Sequence, residues 1–144
     1  MTGILCGFIV TILYINHIMY KKMCEVMITE RYLVSLYGFD SKYYTDEFVA
    51  YVWEKSANKE YLNSGIFVPA LISKNRLVCG EIRGCSLGQT AYMINTLRIP
   101  SEVTNAEEFW NAYRNVLADV KKELGNPNMS LTVHIEDTFF LFIE

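Results

Sequence analysis

The amphipathic segment between Thr104 and Pro127 constrains the fold most. Its apolar residues recur every three to four positions, the period of an α-helix with one buried face. These apolar positions are Ala106, Phe109, Trp110, Tyr113, Val116, Leu117, Val120 and Leu124. Thr104 and Glu107 have the spacing of a capping box, while Gly125 and Pro127 end the pattern. The segment therefore predicts a helix that must pack its apolar stripe against another layer.

A second helix is predicted over residues 45–62. Thr45 can accept a backbone N–H as the N-cap, and Asp46 and Glu47 suit the positive end of the helix dipole. The apolar residues within it are Phe48, Val49, Val52, Trp53 and Ala57. These again form a single stripe, so both helices can cover the same surface.

The remaining segments favour strands. Alternating residues predict a strand over 28–37, and Gly38 breaks it. Residues 66–82 predict a hairpin with its turn at 73–76, and residues 90–100 favour a strand, although they could also begin a helix. Residues 130–144 predict a final hairpin that turns at 136–138. The expected order is β-α-β-β-β-α-β-β.

This order predicts an α+β fold: a mixed or antiparallel sheet with two amphipathic helices packed on one face, preceded by an apolar N-terminal segment. The expected organisation is an apolar segment over residues 1–23 and a single domain over residues 24–144. The chain has 144 residues, 51% of them hydrophobic and 20% charged, which is enough to form a core.

The apolar opening segment is open to three interpretations. Residues 2–20 carry no charge, and about 20 apolar residues span a bilayer as a helix. Lys21 and Lys22 would then lie on the cytoplasmic side. This interpretation predicts an inner or plasma membrane protein with a cytoplasmic domain. The alternatives are that the segment is a core strand of a cytoplasmic protein, or that the natural start is Met23 or Met27.

The charges and the cysteines exclude several classes of function. A net charge of -3 gives no basic surface for nucleic acid. The four cysteines form no CxxC motif, so neither a metal site nor a cofactor is predicted. We expect the cysteines to be reduced. A disulfide between Cys79 and Cys85 is the minor alternative, since Gly80 and Gly84 would let them approach.

One constellation suggests catalysis. Cys85 lies in the sequence GCSLGQT, and a thiol at a helix start would have a lowered pKa. His134, on a predicted strand, would deprotonate it, and Asp137 would orient the histidine. The pattern resembles the Cys-Ser and strand-borne His of NlpC/P60-type cysteine peptidases. That resemblance implies a cysteine-dependent hydrolase using Cys85 and His134.

The aromatic loop after the first strand suggests binding instead. It contains Tyr37, Phe39, Tyr43 and Tyr44, and tyrosine is enriched at protein interfaces. Glu81 and Arg83, in CGEIRGC, form a second candidate binding turn. Because no P-loop, GxSxG or HExxH motif is present, the sequence predicts a small non-enzymatic binding or regulatory protein. The expected contacts are a protein partner, a membrane through residues 2–20, and another copy of the chain in a homo-oligomer.

Overall fold

A computed structural model describes residues 24–40 and 42–141. The chain order is strand β1 (Cys24–Tyr37), helix α1 (Asp46–Ser64), strands β2 (Leu71–Arg76) and β3 (Thr90–Leu97), helix α2 (Ala106–Glu123) and strand β4 (Asn128–Leu141). A 3-10 turn, Glu81–Arg83, lies between β2 and β3. The strands form one antiparallel sheet in the order β2-β3-β1-β4. The predicted α+β class is confirmed.

Strand β1 lies inside the sheet, between β3 and β4. It pairs with β4 along its whole length, from Cys24 opposite Leu141 to Tyr37 opposite Asn128. It pairs with β3 only from Arg31 onward. The β1–β4 pair is therefore longer than the rest of the sheet.

The predicted C-terminal hairpin is wrong, because β4 is one continuous strand. Residues 136–138, the predicted turn, pair with residues 27–29 of β1 in the same register as the rest. A two-residue hairpin turn needs positive φ angles, which Gly or Asn provide most readily. Glu136, Asp137 and Thr138 lack such a residue, and β1 is long enough to pair with all of them.

The hairpin predicted over residues 66–82 is also wrong. Residues 73–76, the predicted turn, belong to β2 and pair with β3. Residues 77–89 form a loop instead of a second arm. Gly80 and Gly84 have φ angles of 79° and 75°, which a strand does not accommodate. The loop also contains a disulfide between Cys79 and Cys85, which corrects the expectation that both cysteines are reduced.

Both helices lie close to where the sequence predicts them. The side chain of Thr45 caps α1 by accepting a hydrogen bond from the Phe48 N–H at 3.2 Å. Helix α2 differs at its start, because Asn105 is the N-cap in place of Thr104. The Asn105 side chain accepts from the N–H groups of Glu107 and Glu108 at 2.9 and 3.2 Å. An asparagine N-cap thus satisfies free N–H groups of the first helical turn, the role predicted for Thr104.

The core lies between the helices and one face of the sheet. Tyr32, Val34 and Leu36 of β1 and Tyr92 and Ile94 of β3 are buried on this face. Five rings pack together at its centre, and we call them the interior aromatic cluster: Tyr32, Trp53, Phe109, Trp110 and Tyr113. The ring of Tyr32 lies 4.6 Å from that of Tyr113, 5.6 Å from that of Trp110 and 5.7 Å from that of Phe109.

A buried ion pair joins the start of α2 to β1. The Arg98 guanidinium donates to the Glu30 carboxylate at 2.5 and 3.2 Å, and also to the carbonyl oxygens of Val103 and Thr104. Arg98 is only 5% exposed. Removing one partner of such a pair leaves an unpaired buried charge, so the pair fixes the loop that leads into α2.

The opposite face of the sheet mixes polar with apolar side chains, and no helix of the described residues covers it. There the Nε of Arg31 donates to Glu136 at 2.7 Å and its Nη1 donates to Asn95 at 3.0 Å. We call these three residues the open-face cluster.

The proposed membrane anchor over residues 2–20 lies outside the described residues. Among residues 24–40 and 42–141, no helix has both the length and the apolar character needed to cross a bilayer.

Candidate active site

A groove of about 270 Å³ opens at the end of β1, where α2 leads into β4. It is lined by Tyr37, Gly38, Phe39, Tyr44, Leu124, Gly125, Asn126, Pro127 and Asn128. We call it the aromatic groove. One wall comes from the loop between β1 and α1, and the other from the connection between α2 and β4. The pairing of Tyr37 with Asn128 in the sheet holds the two walls together.

A tight turn shapes the aromatic wall. Gly38, with a φ of 86°, ends β1 in a conformation that side-chain-bearing residues rarely adopt. The Asp40 carbonyl then accepts from the N–H groups of Tyr43 and Tyr44, both at 3.1 Å. This turn brings the ring of Tyr44 to 5.1 Å from the ring of Phe39. The planes of the two rings are tilted by 54°, and Phe39 is only 9% exposed, so Tyr44 is the more exposed ring of this wall.

Tyr92 of β3 supports this aromatic wall from the side of the sheet. Its hydroxyl donates a hydrogen bond to the Tyr44 carbonyl, and its ring meets the ring of Phe39 edge-on at 5.5 Å. Burial raises the pKa of Tyr92 above its ordinary value, and the charges of Asp46 and Glu47 raise it further. The hydroxyl therefore stays protonated at neutral pH and remains a donor. Tyr92 links the sheet to the groove.

The second wall is the C-terminal end of α2. The N–H of Gly125 donates to the Lys122 carbonyl at 3.2 Å, and that of Asn126 donates to the Lys121 carbonyl at 2.8 Å. Asn126 has a φ of 56°, the left-handed conformation that asparagine tolerates better than most residues. A side-chain Cβ at Gly125 would lie 3.9 Å from the Tyr44 hydroxyl. The two walls of the groove therefore approach each other closely.

The electrostatics of the groove favour a ligand with a positive charge and a flat ring. A helix C-terminus is the negative end of the helix dipole, and aromatic faces attract cations. Lys121 and Lys122 lie in the last turn of α2, but neither lines the groove. No Asp, Glu, His, Lys or Arg occurs among its described lining residues. The Asn126 and Asn128 amides provide donors and acceptors for the edge of a heterocycle.

The structure brings together three of the four aromatic residues singled out in the sequence. Tyr37, Phe39 and Tyr44 line the groove, whereas Tyr43 is 76% exposed and does not. Sequence reasoning missed Asn126 and Asn128. The signal available was the sequence GNPN directly after a helix, which was interpreted only as a stop signal.

The proposed catalytic residues are not brought together. Cys85 is bonded to Cys79 in the loop between β2 and β3, next to the Tyr37 end of the sheet. His134 pairs with Arg31, six residues further along β1, which is about 20 Å of strand. Asp137 lies still further along β4. A thiol–imidazole–carboxylate arrangement is therefore not formed.

The second candidate binding turn lies apart from the groove. Glu81 and Arg83 are exposed in the 3-10 turn within the disulfide-bonded loop, and neither lines the groove. Within the part of the chain that the structure describes, no group of three or more His, Cys, Asp or Glu residues is arranged to hold a metal ion.

Comparisons with known proteins identify the family. A family model described as SAM lyase matches residues 27–142 of this chain. A search of curated proteins gave no match. A solved phage SAM lyase in complex with S-methyl-5'-thioadenosine has a TM-score of 0.50 and 12% identity, covering 79% of this chain and 90% of its own. The phage SAM lyase in its apo state has a TM-score of 0.50 and 16% identity, covering 81% and 90%.

These matches correct three predictions made from the sequence. The non-enzymatic binding or regulatory protein is wrong, because the matched family is one of enzymes. The cysteine-dependent hydrolase is wrong because the matched family is one of SAM lyases, and Cys85 and His134 are also far apart. The single-pass membrane protein with a cytoplasmic domain is likewise contradicted by the family match.

Proposed function

Since the chain belongs to the SAM lyase family, we propose that it cleaves S-adenosylmethionine and that the aromatic groove holds the substrate. The family match over residues 27–142 is the observation that supports this reaction. The groove is assigned on its own geometry, because two aromatic rings and the negative end of a helix meet there in one uncharged recess.

The proposed products follow from the chemistry of the substrate. One solved phage SAM lyase is a complex with S-methyl-5'-thioadenosine, and we propose the same product here. Its release requires that the bond between the sulfonium sulfur and the methionine Cγ breaks, with both electrons going to sulfur. The substrate's own carboxylate can attack Cγ and form a five-membered lactone. No proton moves in this step and no water is consumed.

The absence of charged side chains from the lining suits this internal route. Elimination would need a base to remove a proton from Cβ, and hydrolysis would need a base to activate water. The described lining residues include no carboxylate and no imidazole. In the internal route, the negative carboxylate and the positive sulfonium neutralise each other. Water stabilises the separated charges, so shielding the carboxylate and the sulfonium from water lowers the barrier to their combination.

The size and the rings of the groove suit the nucleoside part of the substrate. Its volume of about 270 Å³ lies just below the ~300–1,000 Å³ of complete small-molecule pockets. Stacking of a base on an aromatic side chain contributes about 1–3 kcal/mol. We therefore assign base stacking to the rings of Phe39 and Tyr44, and recognition of the base edge to Asn126 and Asn128.

The test is to incubate the purified full chain with S-adenosylmethionine in ¹⁸O-labelled water and to follow the products by chromatography and mass spectrometry. We expect S-methyl-5'-thioadenosine together with a lactone that carries no ¹⁸O at the earliest time points. Labelled homoserine as the first product would show hydrolysis and contradict the internal route. No S-methyl-5'-thioadenosine above the uncatalysed rate would contradict the activity itself.

Two adjacent tyrosines give a matched pair of variants for the site. Tyr44→Ala removes a ring of the groove, whereas Tyr43→Ala removes a ring that is 76% exposed and outside it. We expect the first variant to raise KM and the second to leave it unchanged. Equal changes in KM for the two variants, or a larger change for Tyr43→Ala, would show that the substrate binds outside the aromatic groove.

A further inference from the structure

We propose that the disulfide between Cys79 and Cys85 is a redox switch that controls substrate binding in the aromatic groove. The inference rests on the proposed function for its effect on catalysis. Its structural part, a coupling between the disulfide and the groove wall, stands on contacts that do not depend on the reaction.

The disulfide closes a compact loop between β2 and β3. The two cysteines are separated by 6 positions, and their Cα atoms lie 5.4 Å apart. The Leu77 N–H donates to the Gln89 carbonyl at 2.8 Å, and the Gly88 N–H donates to the Cys85 carbonyl at 3.0 Å. The Sγ of Cys79 lies 4.0 Å from the Gly88 carbonyl oxygen. Both cysteines of the disulfide thus contact the backbone of Gly88.

Gly88 in turn lies against the groove wall. A Cβ built on Gly88 would lie 3.9 Å from the Cα of Gly38, a lining residue of the groove. No side chain stands between the two backbones, so a displacement at one is passed directly to the other. The disulfide, Gly88 and Gly38 form one line of contact that ends at the aromatic wall.

A second connection runs along the chain itself. Strand β3 begins at Thr90, immediately after the loop, and its third residue is Tyr92. The Tyr92 hydroxyl holds the Tyr44 carbonyl, and its ring meets the ring of Phe39. A loop that changes position therefore acts on the groove through Gly38 and through the start of β3.

The disulfide is accessible to small thiols. Both cysteines are partly exposed, and the neighbouring Val78 and Ile82 are 85% and 98% exposed. In the reduction step, a thiolate of a dithiol attacks one sulfur and the other sulfur leaves as a thiolate. The second thiol of the reductant then releases the mixed disulfide, so two electrons pass to the protein and the reductant becomes a cyclic disulfide.

The oxidised state should bind substrate better, because the closed loop fixes the groove wall before binding. Reduction frees residues 79–85 and removes this preorganisation. We expect KM for S-adenosylmethionine to rise about 5-fold or more on reduction, the lower end of typical coupling between sites. We expect kcat to change little, because no lining residue is altered.

The experiment uses the wild-type full chain and, in parallel, a C6S/C24S variant in which Cys79 and Cys85 are the remaining thiols. Each is prepared with oxidised glutathione or with dithiothreitol, and intact mass establishes the disulfide. KM is measured in both states, together with hydrogen exchange of the backbone amides in residues 38–44. We expect faster exchange and a higher KM in the reduced state. A chain that forms no Cys79–Cys85 disulfide would overturn the switch.

A C79S/C85S variant is the control. Its KM and its amide exchange should equal those of the reduced protein under both redox conditions. A redox response in this variant would overturn the proposal. Cleavage with identical KM and exchange in both states would also overturn it, while leaving the proposed function intact. Redox-dependent exchange in residues 38–44 without any S-adenosylmethionine cleavage would support the coupling and contradict the proposed function alone.

Discussion

The molecule contains two groups of aromatic side chains that resemble each other in composition and differ in surroundings. The interior aromatic cluster lies between the helices and the middle of the sheet, where Tyr32, Phe109 and Tyr113 are at most 2% exposed. In the aromatic groove, Tyr37 and Tyr44 remain partly exposed. These three rings are covered by their neighbours, whereas Tyr37 and Tyr44 keep a surface that a ligand can cover. Each group also has one member that differs, because Trp110 is partly exposed and Phe39 is only 9% exposed.

The difference between the two tyrosines of β1 arises from the face of the sheet on which each lies. Tyr32 lies on the same face as Val34 and Leu36, under α2, whereas Tyr37 lies on the opposite face, because alternate residues of a strand point to opposite sides. Residue type therefore does not decide between stability and binding. The face of the sheet on which the ring lies decides it for these two residues.

The largest expected effect is on stability, from a change in the interior aromatic cluster. Phe109→Ala should lower the free energy of unfolding by about 3–5 kcal/mol, because it leaves a cavity in a packed core. Urea denaturation measures this loss, with Phe109→Leu as the milder control. If Phe109→Ala lowered stability by less than about 1 kcal/mol, the cluster would not be the centre of the core.

The next effect is on binding, from a change in the aromatic groove. Tyr44→Ala should raise KM for S-adenosylmethionine about 10-fold, equivalent to the loss of one stacking contact. The variant should remain folded, because Tyr44 lies at the edge of the core. Steady-state kinetics and urea denaturation on the same preparation separate the two quantities. A large loss of stability with unchanged KM would assign Tyr44 to the core.

A smaller effect concerns the Tyr113 hydroxyl, which is buried and has no hydrogen-bond partner in the described structure. Burial raises the pKa of Tyr113 well above its ordinary 10.0, and the nearby Tyr32 raises it further. Its contribution to stability is therefore complete below pH 10.0 and is lost as the pH rises from 10.0 towards the folded-state pKa.

Tyr113→Phe should accordingly lose less stability above pH 10.0 than the wild type. At neutral pH the two proteins should differ by less than about 1 kcal/mol, since no hydrogen bond is lost. Urea denaturation at a series of pH values measures both quantities. Parallel pH profiles for the two proteins would show that the hydroxyl finds a partner or reaches solvent.

The smallest expected effect is that of salt and pH on substrate binding. Because the described lining residues carry no charged side chain, KM should change less than about 2-fold between ~50 and ~500 mM salt. The activity should also be nearly constant from about pH 6 to about pH 9, below the ordinary pKa of tyrosine. A steep salt dependence would favour a charged site, such as the open-face cluster.

The bounds of the helices were predicted well, because the period of their apolar residues indicates which positions are buried. The α2 stripe and the Thr45 cap lie where expected, whereas in α1 the predicted stripe residue Phe48 is 39% exposed and the polar Ser56 and Glu60 are buried. The strands after Gly65 were predicted less well, since the ends of a strand depend on its partner strands. Residues 136–138 look like a turn in isolation, and only their pairing with the full length of β1 makes them strand. The N-cap of α2 is Asn105 in place of Thr104, whose carbonyl accepts a hydrogen bond from Arg98.

The sequence analysis singled out residues of one of the two walls of the aromatic groove. The aromatic loop was singled out for protein binding, because interface enrichment of tyrosine does not distinguish a partner protein from a small molecule, and its role in binding stays a prediction. The wall formed by Asn126 and Asn128 lies more than 80 residues away and has no motif of its own. The family was missed because none of the catalytic motifs that were sought is present, and the proposed cleavage needs no catalytic acid, base or metal that a motif could reveal.

The central claim is that the aromatic groove, and not the open face of the sheet, binds the product nucleoside. The most direct measurement is a titration of the ¹⁵N-labelled full chain with S-methyl-5'-thioadenosine, followed by NMR. We predict the largest shifts at the amides of Gly38, Tyr44, Gly125 and Asn126. Shifts concentrated at Arg31, Asn95 and Glu136, with those four amides unchanged, would contradict it.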